Sequence, residues 1–281
     1  MLFRSISGFG SDAGPGAPKA LDTVIQALSG VMYVSGDEGD PPVRVGLTIA
    51  DLTAALFGTI GALAALHQAR RTGIGQHVDV SMLGALTSLI AAEAYEAMEK
   101  AGASVRSGQS VQRLAPFGTY RASDGHIAIC AYTDAFAHRL FDVMGRKDLL
   151  ADERFRTRDA RVRYYRELDL EIDRWSSAKT GGEAVAVLHA AGVPAAEVRD
   201  PKVAVHDPRV MVRGETVPLV HPRYGAAYGI RAMGLPIRFS DAKAGFDQPP
   251  PALGEHNQRV YGEILGYDAK RIAELRAEGV I

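Results

Sequence analysis

One acidic residue at the head of a long apolar stretch is the first place where this sequence can do chemistry. Asp51 stands in VGLTIADLTAA, which begins at Val45. A carboxylate in the first turn of a helix is stabilised by the positive end of the helix dipole, so Asp51 can simply be a capping acid. It can also be an ionised nucleophile that attacks an acyl carbon. Small neighbours, Gly46 and Ala50, would admit a substrate, and nearby N–H groups would stabilise an oxyanion.

Other catalytic or metal-binding patterns are missing from the sequence. The eight histidines are scattered, and there is no Walker loop, no GxGxxG, no HExxH and no Cys/His pair at ligand spacing. Cys130 lies within the apolar stretch IAICAY, which is typical of a small buried residue rather than a nucleophile. We therefore expect no metal site and no permanently bound cofactor.

A long helix is predicted to carry Asp51. It covers residues 48–71 and ends at a TGIG stretch, whose glycines suit the end of a helix. Its apolar run of 15 residues, 52–66, is shorter than the roughly 20 residues that span a bilayer. The run therefore predicts a helix packed on several sides inside a soluble core. The alternating residues 76–81 predict a strand, and residues 82–100 a second long helix.

The remaining chain alternates strands with helices. A hairpin is predicted around the turn SDG, with strands over 117–121 and 126–132. Further helices are predicted over residues 134–144, 161–176, 182–191, 255–265 and 268–278. Further strands are predicted over residues 2–7, 194–198, 217–221 and 235–239.

Composition excludes several classes of protein. The chain has 281 residues, 47% of them hydrophobic, with 32 basic and 33 acidic side chains and a net charge of −1. This balance is ordinary for a soluble globular protein and offers no basic excess for a nucleic acid. A single cysteine and the lack of a visible secretory signal predict a cytoplasmic protein. We expect neither nucleic acid nor membrane as a partner.

Three ordered blocks of the sequence resemble the class III CoA-transferases, which include formyl-CoA, carnitine and bile-acid CoA-transferases. The first block holds SISGFG, then QALSGVMYVSGDEGDPPVRVGLTIADLTAALFG and RRTGIGQHVDVSML. The second is APFGTYRASDGHIAI, and the third is PALGEHNQRVYGEILGYDAKRIAELRAEGVI. The similarity runs nearly from end to end, so the chain is identified as a member of this family.

The resemblance implies a role for Asp51 and for a segment before the long helix. The family's nucleophilic aspartate falls on Asp51, which would form an acyl anhydride and then a CoA thioester. The stretch Lys19, Ala20, Leu21 and Asp22 matches positions that contact CoA near the thioester. CoA and acyl-CoA are thus expected as substrates, with a small carboxylic acid as the acceptor; the sequence does not name the acid. A positive charge at Lys19 suits phosphate, and it is equally typical of a solvated lysine.

Two departures from the family pattern affect what is expected. The family has a longer N-terminal part, built of βαβ units of ~30 residues each, and this chain begins at its last strand. The protein is therefore expected to be longer, to use a second polypeptide, or to be a reduced relative. The family's glycine-rich lid falls on Ser107, Gly108 and Gln109, where SGQSVQ holds a single glycine.

Two other functions remain open. Related racemases use a histidine that would fall at Leu21, and leucine cannot exchange protons, so 2-methylacyl-CoA racemisation lacks one base. A non-catalytic subunit is the third hypothesis.

The resemblance also implies the fold. It is α/β, with a partial nucleotide-binding-type large domain plus a smaller α+β domain. Residues 1–100, joined by 225–281, would form the large domain, and residues 101–224 the smaller one. Family members are interlocked homodimers, so a homodimer or a partner chain is expected.

Overall fold

The computed structural model describes residues 3–100, 102–106, 108–111, 113–221, 225–245 and 251–281. The chain divides into two compact units, 1–198 and 199–281. The domain division expected from the sequence, 1–100 with 225–281 and then 101–224, stays a prediction.

The beginning of the first unit is a layer of helices on a parallel strand pair, which we call the Asp51 layer. Strands β1 (Phe3–Ser7) and β2 (His77–Ser81) pair in parallel, with Phe3 opposite His77 and Ser7 opposite Ser81. Parallel neighbours need a long crossover, and here it carries a short 3-10 helix (Ser11–Ala13) and three α-helices. The helices of the layer are α1 (Asp22–Ser29), α2 (Val31–Val34), α3 (Ile49–Thr72), α4 (Met82–Ile90) and α5 (Tyr95–Lys100).

Glycines allow α3 to lie close against the strand pair. A Cβ atom on Gly61 would stand 2.7 Å from Val78 Cγ1, and one on Gly58 would stand 3.0 Å from Ile6 Cδ1. The helix ends at Gly73, whose left-handed φ of 75° suits a residue without a side chain. The predicted position and end of this helix are therefore confirmed.

The expectation that α3 is packed on several sides is wrong for the chain as described. Leu56 is 67% exposed, Leu63 is 63% exposed and Ile60 is also exposed, because the strand pair contacts the glycine side of the helix. The helix is long and apolar enough to cross a membrane by length and composition alone. Core helices of soluble proteins satisfy the same criterion, so it is weak evidence for a membrane span.

Two predicted helices are interrupted. The one predicted over 82–100 is split into α4 and α5, and the amide of Ala91 closes α4 on Thr87 and Leu89. The one predicted over 161–176 becomes α8 (Arg158–Arg163) and α9 (Tyr165–Ser176), separated at Tyr164, whose backbone is not helical. Neither break occurs at a glycine or a proline, so the sequence pattern did not show it.

The rest of the first unit is a three-stranded antiparallel sheet with helices. The predicted hairpin is confirmed as β3 (Phe117–Ala122) with β4 (Gly125–Cys130), and β5 (Ala195–Glu197) pairs with β4. Besides α8 and α9, the helices are α6 (Asp134–Val143), α7 (Asp148–Ala151) and α10 (Gly181–Ala190). They bury a cluster of apolar side chains that includes Ile127, Leu140, Phe141 and Leu168, each fully buried, which we call the compact core.

The second unit contains short helices and a hairpin. Its elements are α11 (Pro201–Ala204), α12 (Pro208–Met211), β6 (Thr216–His221), β7 (Gly225–Met233), a π-helix (Gln258–Ile264) and α13 (Ala269–Ala277). The strand predicted over residues 235–239 is wrong, since these residues form no strand and β6 pairs with β7.

Candidate functional site

Asp51 is the third residue of α3, as the sequence predicted for a first-turn acid. The residue is exposed, while its neighbour Ala50 is completely buried. Within the described part of the chain, no side-chain hydrogen bond or ion pair engages the Asp51 carboxylate. An exposed carboxylate at the positive end of a 24-residue helix is free to react with an electrophile.

The amides around Asp51 are largely used by the protein itself. The amide of Ala50 donates to Asp22 Oδ1 at 2.9 Å, that of Ile49 to the Leu47 carbonyl and that of Leu52 to the Thr48 carbonyl. These three N–H groups cannot serve an oxyanion without breaking a bond. Among the described residues, none comes within 4 Å of a Cβ atom built on Gly46, whereas Ala50 faces the interior.

Asp22 contacts the turn that carries Asp51. The N-cap position of α1 is occupied by Leu21, so Asp22 is the first residue of the helix and does not cap it. Instead its carboxylate reaches Ala50 and also accepts a hydrogen bond from Gln26 Nε2 at 2.7 Å. The structure thus brings one of the four residues matched to CoA contacts, Asp22, directly beside the start of α3.

The other three residues of that segment differ in exposure. Lys19 and Leu21 are exposed, and Leu21 leaves 76% of its surface in solvent. Ala20 is half-buried against the turn after β1, where a Cβ atom on Gly8 would come within 2.3 Å of the Ala20 Cβ.

Arg44 lies with a guanidinium nitrogen 4.0 Å from Asp22 Oδ2, and its side chain is 44% exposed. Lys19 and Arg44 therefore supply accessible positive charge on the segments that flank the start of α3.

The turn after β1 is held by an acidic residue of β2. Asp79 Oδ2 accepts from the Ser11 amide at 2.8 Å and from the Ser11 hydroxyl at 2.9 Å, and Oδ1 accepts from the Ser5 hydroxyl. The hydrogen bond from the Ser11 amide, together with those hydroxyls, lowers the pKa of Asp79 below its ordinary value. This bonding anchors residues 8–13 beside Ala20.

The residues matched to a lid contact a different segment. Ser107 lies outside the described residues. Gly108 donates its amide to the Gly36 carbonyl at 3.1 Å, and a Cβ atom on it would overlap Asp37 Oδ1 at 1.4 Å. With its φ of +55°, Gly108 is therefore a position that only glycine fits. The Gln109 carbonyl accepts a hydrogen bond from the Thr119 amide at 2.9 Å.

A cavity of about 290 Å³ opens beside Gln109. Its lining is strongly polar and consists of Asp37, Glu38, Arg106, Gln109, Ser110, Tyr165, Arg166 and Asp169. Asp169 Oδ2 accepts from the Ser110 hydroxyl at 2.7 Å, and Oδ1 accepts from the Tyr120 hydroxyl at 2.8 Å. Burial raises the pKa of Asp169 and, more strongly, that of Tyr120. The sequence did not single out these two residues, because they are 49 positions apart and meet only in the fold.

Two observations concern metal and thiol chemistry. Among the residues that the structure describes, no group of three or more His, Cys, Asp or Glu side chains is arranged to hold a metal ion. Burial raises the pKa of the Cys130 thiol, which disfavours the reactive thiolate.

Comparison with known proteins defines the class. The family model for CoA-transferase family III matches residues 1–257, so the chain belongs to that family. It is 32% identical to the succinyl-CoA–D-citramalate CoA-transferase of Chloroflexus aurantiacus over 283 residues, which cover 100% of this chain and 69% of that enzyme. It is also 32% identical to the succinyl-CoA:mesaconate CoA-transferase of Haloarcula hispanica, covering 97% of this chain and 69% of that enzyme.

Solved structures agree on the fold. A CAIB/BAIF family protein from Brucella suis superposes with a TM-score of 0.79 at 28% identity, covering 94% of this chain and 68% of that one. The predicted class III CoA-transferase fold is therefore confirmed. The chain spans about two thirds of the length of these relatives.

Proposed function

We propose that the protein transfers CoA from an acyl-CoA to a small carboxylic acid, with Asp51 as the nucleophile. Membership of CoA-transferase family III supports CoA transfer in general. The observation that carries the finer proposal is the exposed Asp51 carboxylate in the first turn of α3, which no side chain of the described residues pairs. Lys19 and Arg44 carry charges that suit the phosphates of CoA.

The reaction proceeds by acyl exchange on the Asp51 carboxylate. That carboxylate attacks the thioester carbon of the donor and expels CoA thiolate, which leaves an acyl–aspartyl anhydride. The thiolate attacks the aspartyl carbonyl, releases the donor acid as a carboxylate and leaves an aspartyl-CoA thioester. The acceptor carboxylate then displaces the thiolate, and the thiolate takes the acceptor acyl group from the new anhydride. Asp51 is regenerated and no ATP is needed.

The two relatives suggest the class of acids. Both are named for succinyl-CoA, and their acceptors, citramalate and mesaconate, are small dicarboxylic acids. We therefore expect succinyl-CoA as the first donor to test, with C4 and C5 dicarboxylates as acceptors. A cytoplasmic homodimer, or an assembly with a partner chain, is the form in which we propose that it acts.

The first experiment replaces the nucleophile. In the active protein, as this chain or with any polypeptide that completes it, Asp51→Ala is expected to lower CoA transfer roughly 10³-fold or more. The variant should still fold, because a first-turn acid contributes only ~0.3–1 kcal/mol through the helix dipole. Asp159→Ala, which removes an exposed first-turn acid of α8, is the matched control and should keep full activity. Transfer at the wild-type rate by Asp51→Ala would overturn the assignment.

The second experiment traps the intermediate. Hydroxylamine or borohydride, added during turnover of succinyl-CoA, should modify the peptide that contains Asp51 and change its mass. A racemase would instead exchange the α-hydrogen of a 2-methylacyl-CoA with solvent deuterium and form no adduct. Exchange of the α-hydrogen without an adduct would show that the protein is a racemase. The exposed Leu21 side chain disfavours this outcome, because leucine cannot move a proton.

A further inference from the structure

Two buried polar side chains of α1 face the segment that leads into Asp51. Gln26 is fully buried and Asp22 is 7% exposed. They are four residues apart, so they lie on one face of the helix. Burying polar groups costs free energy unless each finds a partner, so such a pair persists only where its hydrogen bonds are made.

Together the two side chains bind three backbone points in residues 45–50. Gln26 Nε2 also donates to Asp22 Oδ2, so both carboxylate oxygens and both ends of the amide are used. The contacts to the segment are Val45 N–H to Gln26 Oε1 at 2.9 Å, Gln26 Nε2 to the Leu47 carbonyl at 3.0 Å, and Ala50 N–H to Asp22 Oδ1 at 2.9 Å. We call this set of bonds the α1 clasp.

Besides the α1 clasp, apolar packing holds the first turn of α3, since Ala50 lies in a small buried cluster with Ile25 and Leu86. The N-cap residue, Thr48, makes no side-chain capping bond, and residues 46–48 are exposed. In the described part of the chain, a Cβ atom on Gly46 would meet no atom within 4 Å. Among the described residues, the α1 clasp therefore supplies the directional contacts that orient the turn that carries Asp51.

We propose that Gln26 is a positioning residue for Asp51, which acts through residues 45–50 and through Asp22. This inference rests on the proposed function, because it assumes that Asp51 carries the acyl group. A displacement of about 1 Å at a reacting group can lower a rate about 100-fold. Gln26 touches no substrate in this role, so it affects the rate of acyl transfer rather than the binding of acyl-CoA.

Three variants separate hydrogen bonding from volume. Gln26→Leu keeps a buried side chain of similar size and removes every bond of the amide. Asp22→Asn replaces the acceptor oxygen that faces Gln26 Nε2 with an amide NH₂ group. Two hydrogen-bond donors then face each other, and the bond between the two side chains is lost. Combining Asp22→Asn with Gln26→Glu exchanges donor and acceptor, keeps the single negative charge and restores all bonds except the one to Leu47.

The experiment compares steady-state rates with trapping of Asp51. Gln26→Leu and Asp22→Asn should lower kcat for CoA transfer roughly 10- to 100-fold. In Gln26→Leu, which alters none of the residues matched to CoA contacts, the KM for acyl-CoA should change less than about twofold. Trapping of acylated Asp51 in one turnover should slow by the same factor. The double variant should recover to within about fivefold of wild type. Gln68→Leu, which removes an exposed glutamine of α3 bonded to Gln76, should stay within about twofold of wild type.

Each contrary result has one meaning. If Gln26→Leu acylates Asp51 and turns over at the wild-type rate, Gln26 is not a positioning residue, while the proposed function stands. If kcat falls only in step with the fraction of folded protein, measured by circular dichroism, the role of Gln26 is structural and the inference is overturned. If wild-type protein transfers CoA and no adduct forms on Asp51, the proposed function fails, and the inference fails with it.

Discussion

The compact core and the Asp51 layer belong to the same unit, yet they bury very different amounts of apolar side chain. The compact core contains fifteen buried residues, most of them fully inaccessible. In the Asp51 layer the corresponding cluster is Ile25, Ala50 and Leu86. The layer compensates with polar contacts, namely the α1 clasp and the bonds of Asp79.

This difference in burial separates the residues that stabilise the unit from the residues proposed for acyl transfer. Apolar burial is the dominant favourable term in folding, so the compact core supplies most of the stability of the described unit. The residues proposed for acyl transfer lie in the layer with the smaller core, where directional hydrogen bonds define the geometry. Substitutions in the two regions should therefore affect different measurements.

The largest expected difference in the free energy of unfolding comes from the same substitution, leucine to alanine, made once in each region. Leu140→Ala in the compact core should lower the free energy of unfolding by roughly 2–5 kcal/mol, because it removes a fully buried side chain and leaves a cavity. Leu63→Ala, on the exposed face of α3, should change it by less than about 0.5 kcal/mol. Urea unfolding followed by circular dichroism measures both. Equal losses would mean that α3 is covered in solution.

A buried arginine gives the next largest effect. The Arg161 side chain is 0% exposed and donates to the carbonyls of Ala115, Phe155 and Tyr132 and to Asp134. Arg161→Met should cost about 2–3 kcal/mol, since buried carbonyls lose their donors while the exposed Asp134 stays hydrated.

A matched arginine tests whether burial is the cause. Arg113 forms an exposed ion pair with Glu93 at 2.7 Å, and such pairs are worth about 0–1 kcal/mol. Arg113→Met should therefore leave the urea midpoint nearly unchanged. A loss as large as that of Arg161→Met would show that charge, rather than burial, decides the cost.

One carboxyl from each region, Asp169 and Asp79, should contribute to stability with opposite pH dependence. Burial raises the pKa of Asp169, which packs against the compact core, so the folded chain keeps a proton that the unfolded chain has lost. Its contribution to stability falls as pH rises from the unfolded value, about 3.9, through the raised folded value. Asp79 has a lowered pKa, so its contribution is present above about 3.9 and is lost as pH falls toward the folded value.

Urea unfolding at a series of pH values tests both signs. Compared with wild type, Asp169→Asn should become relatively more stable as pH rises through the window above about 3.9. Asp79→Asn should be relatively less stable at neutral pH, and the difference should shrink on acidification. The same slope for both variants would contradict the assigned directions.

Local signals in the sequence predicted the elements that carry the site. The start of α3, its end at Gly73 and the first-turn position of Asp51 follow from patterns within a few residues. The hairpin of β3 and β4 follows from its turn in the same way.

Features that depend on distant residues were missed. Gln26 is polar and buried only because residues 45–50 return to it, and Asp169 meets Tyr120 only across the fold. The sequence GAAYGIRAM of β7 is poor in β-branched residues, so its pattern did not indicate a strand. The alternating residues 235–239 contain Pro236, which cannot donate to a sheet, and they form no strand in the structure.

The smallest expected effect compares the same capping bond in the two regions. Thr180 forms a capping box with Glu183 at the start of α10, which packs on the compact core. Ser81 accepts from the Gly84 amide at 3.0 Å at the start of α4 in the Asp51 layer. Each change to alanine should cost about 1 kcal/mol.

Amide hydrogen exchange shows which part of the chain each substitution destabilises. Thr180→Ala should speed exchange throughout the compact core, because a core of one buried cluster opens as a unit. Ser81→Ala should speed exchange in α4 and in the turn after β1, whose Gly8 carbonyl accepts from the Leu83 amide at 3.0 Å, while the compact core stays protected. If Ser81→Ala exposes the compact core as readily as Thr180→Ala does, the two regions unfold together. The difference in burial would then not divide the unit into separately stable parts.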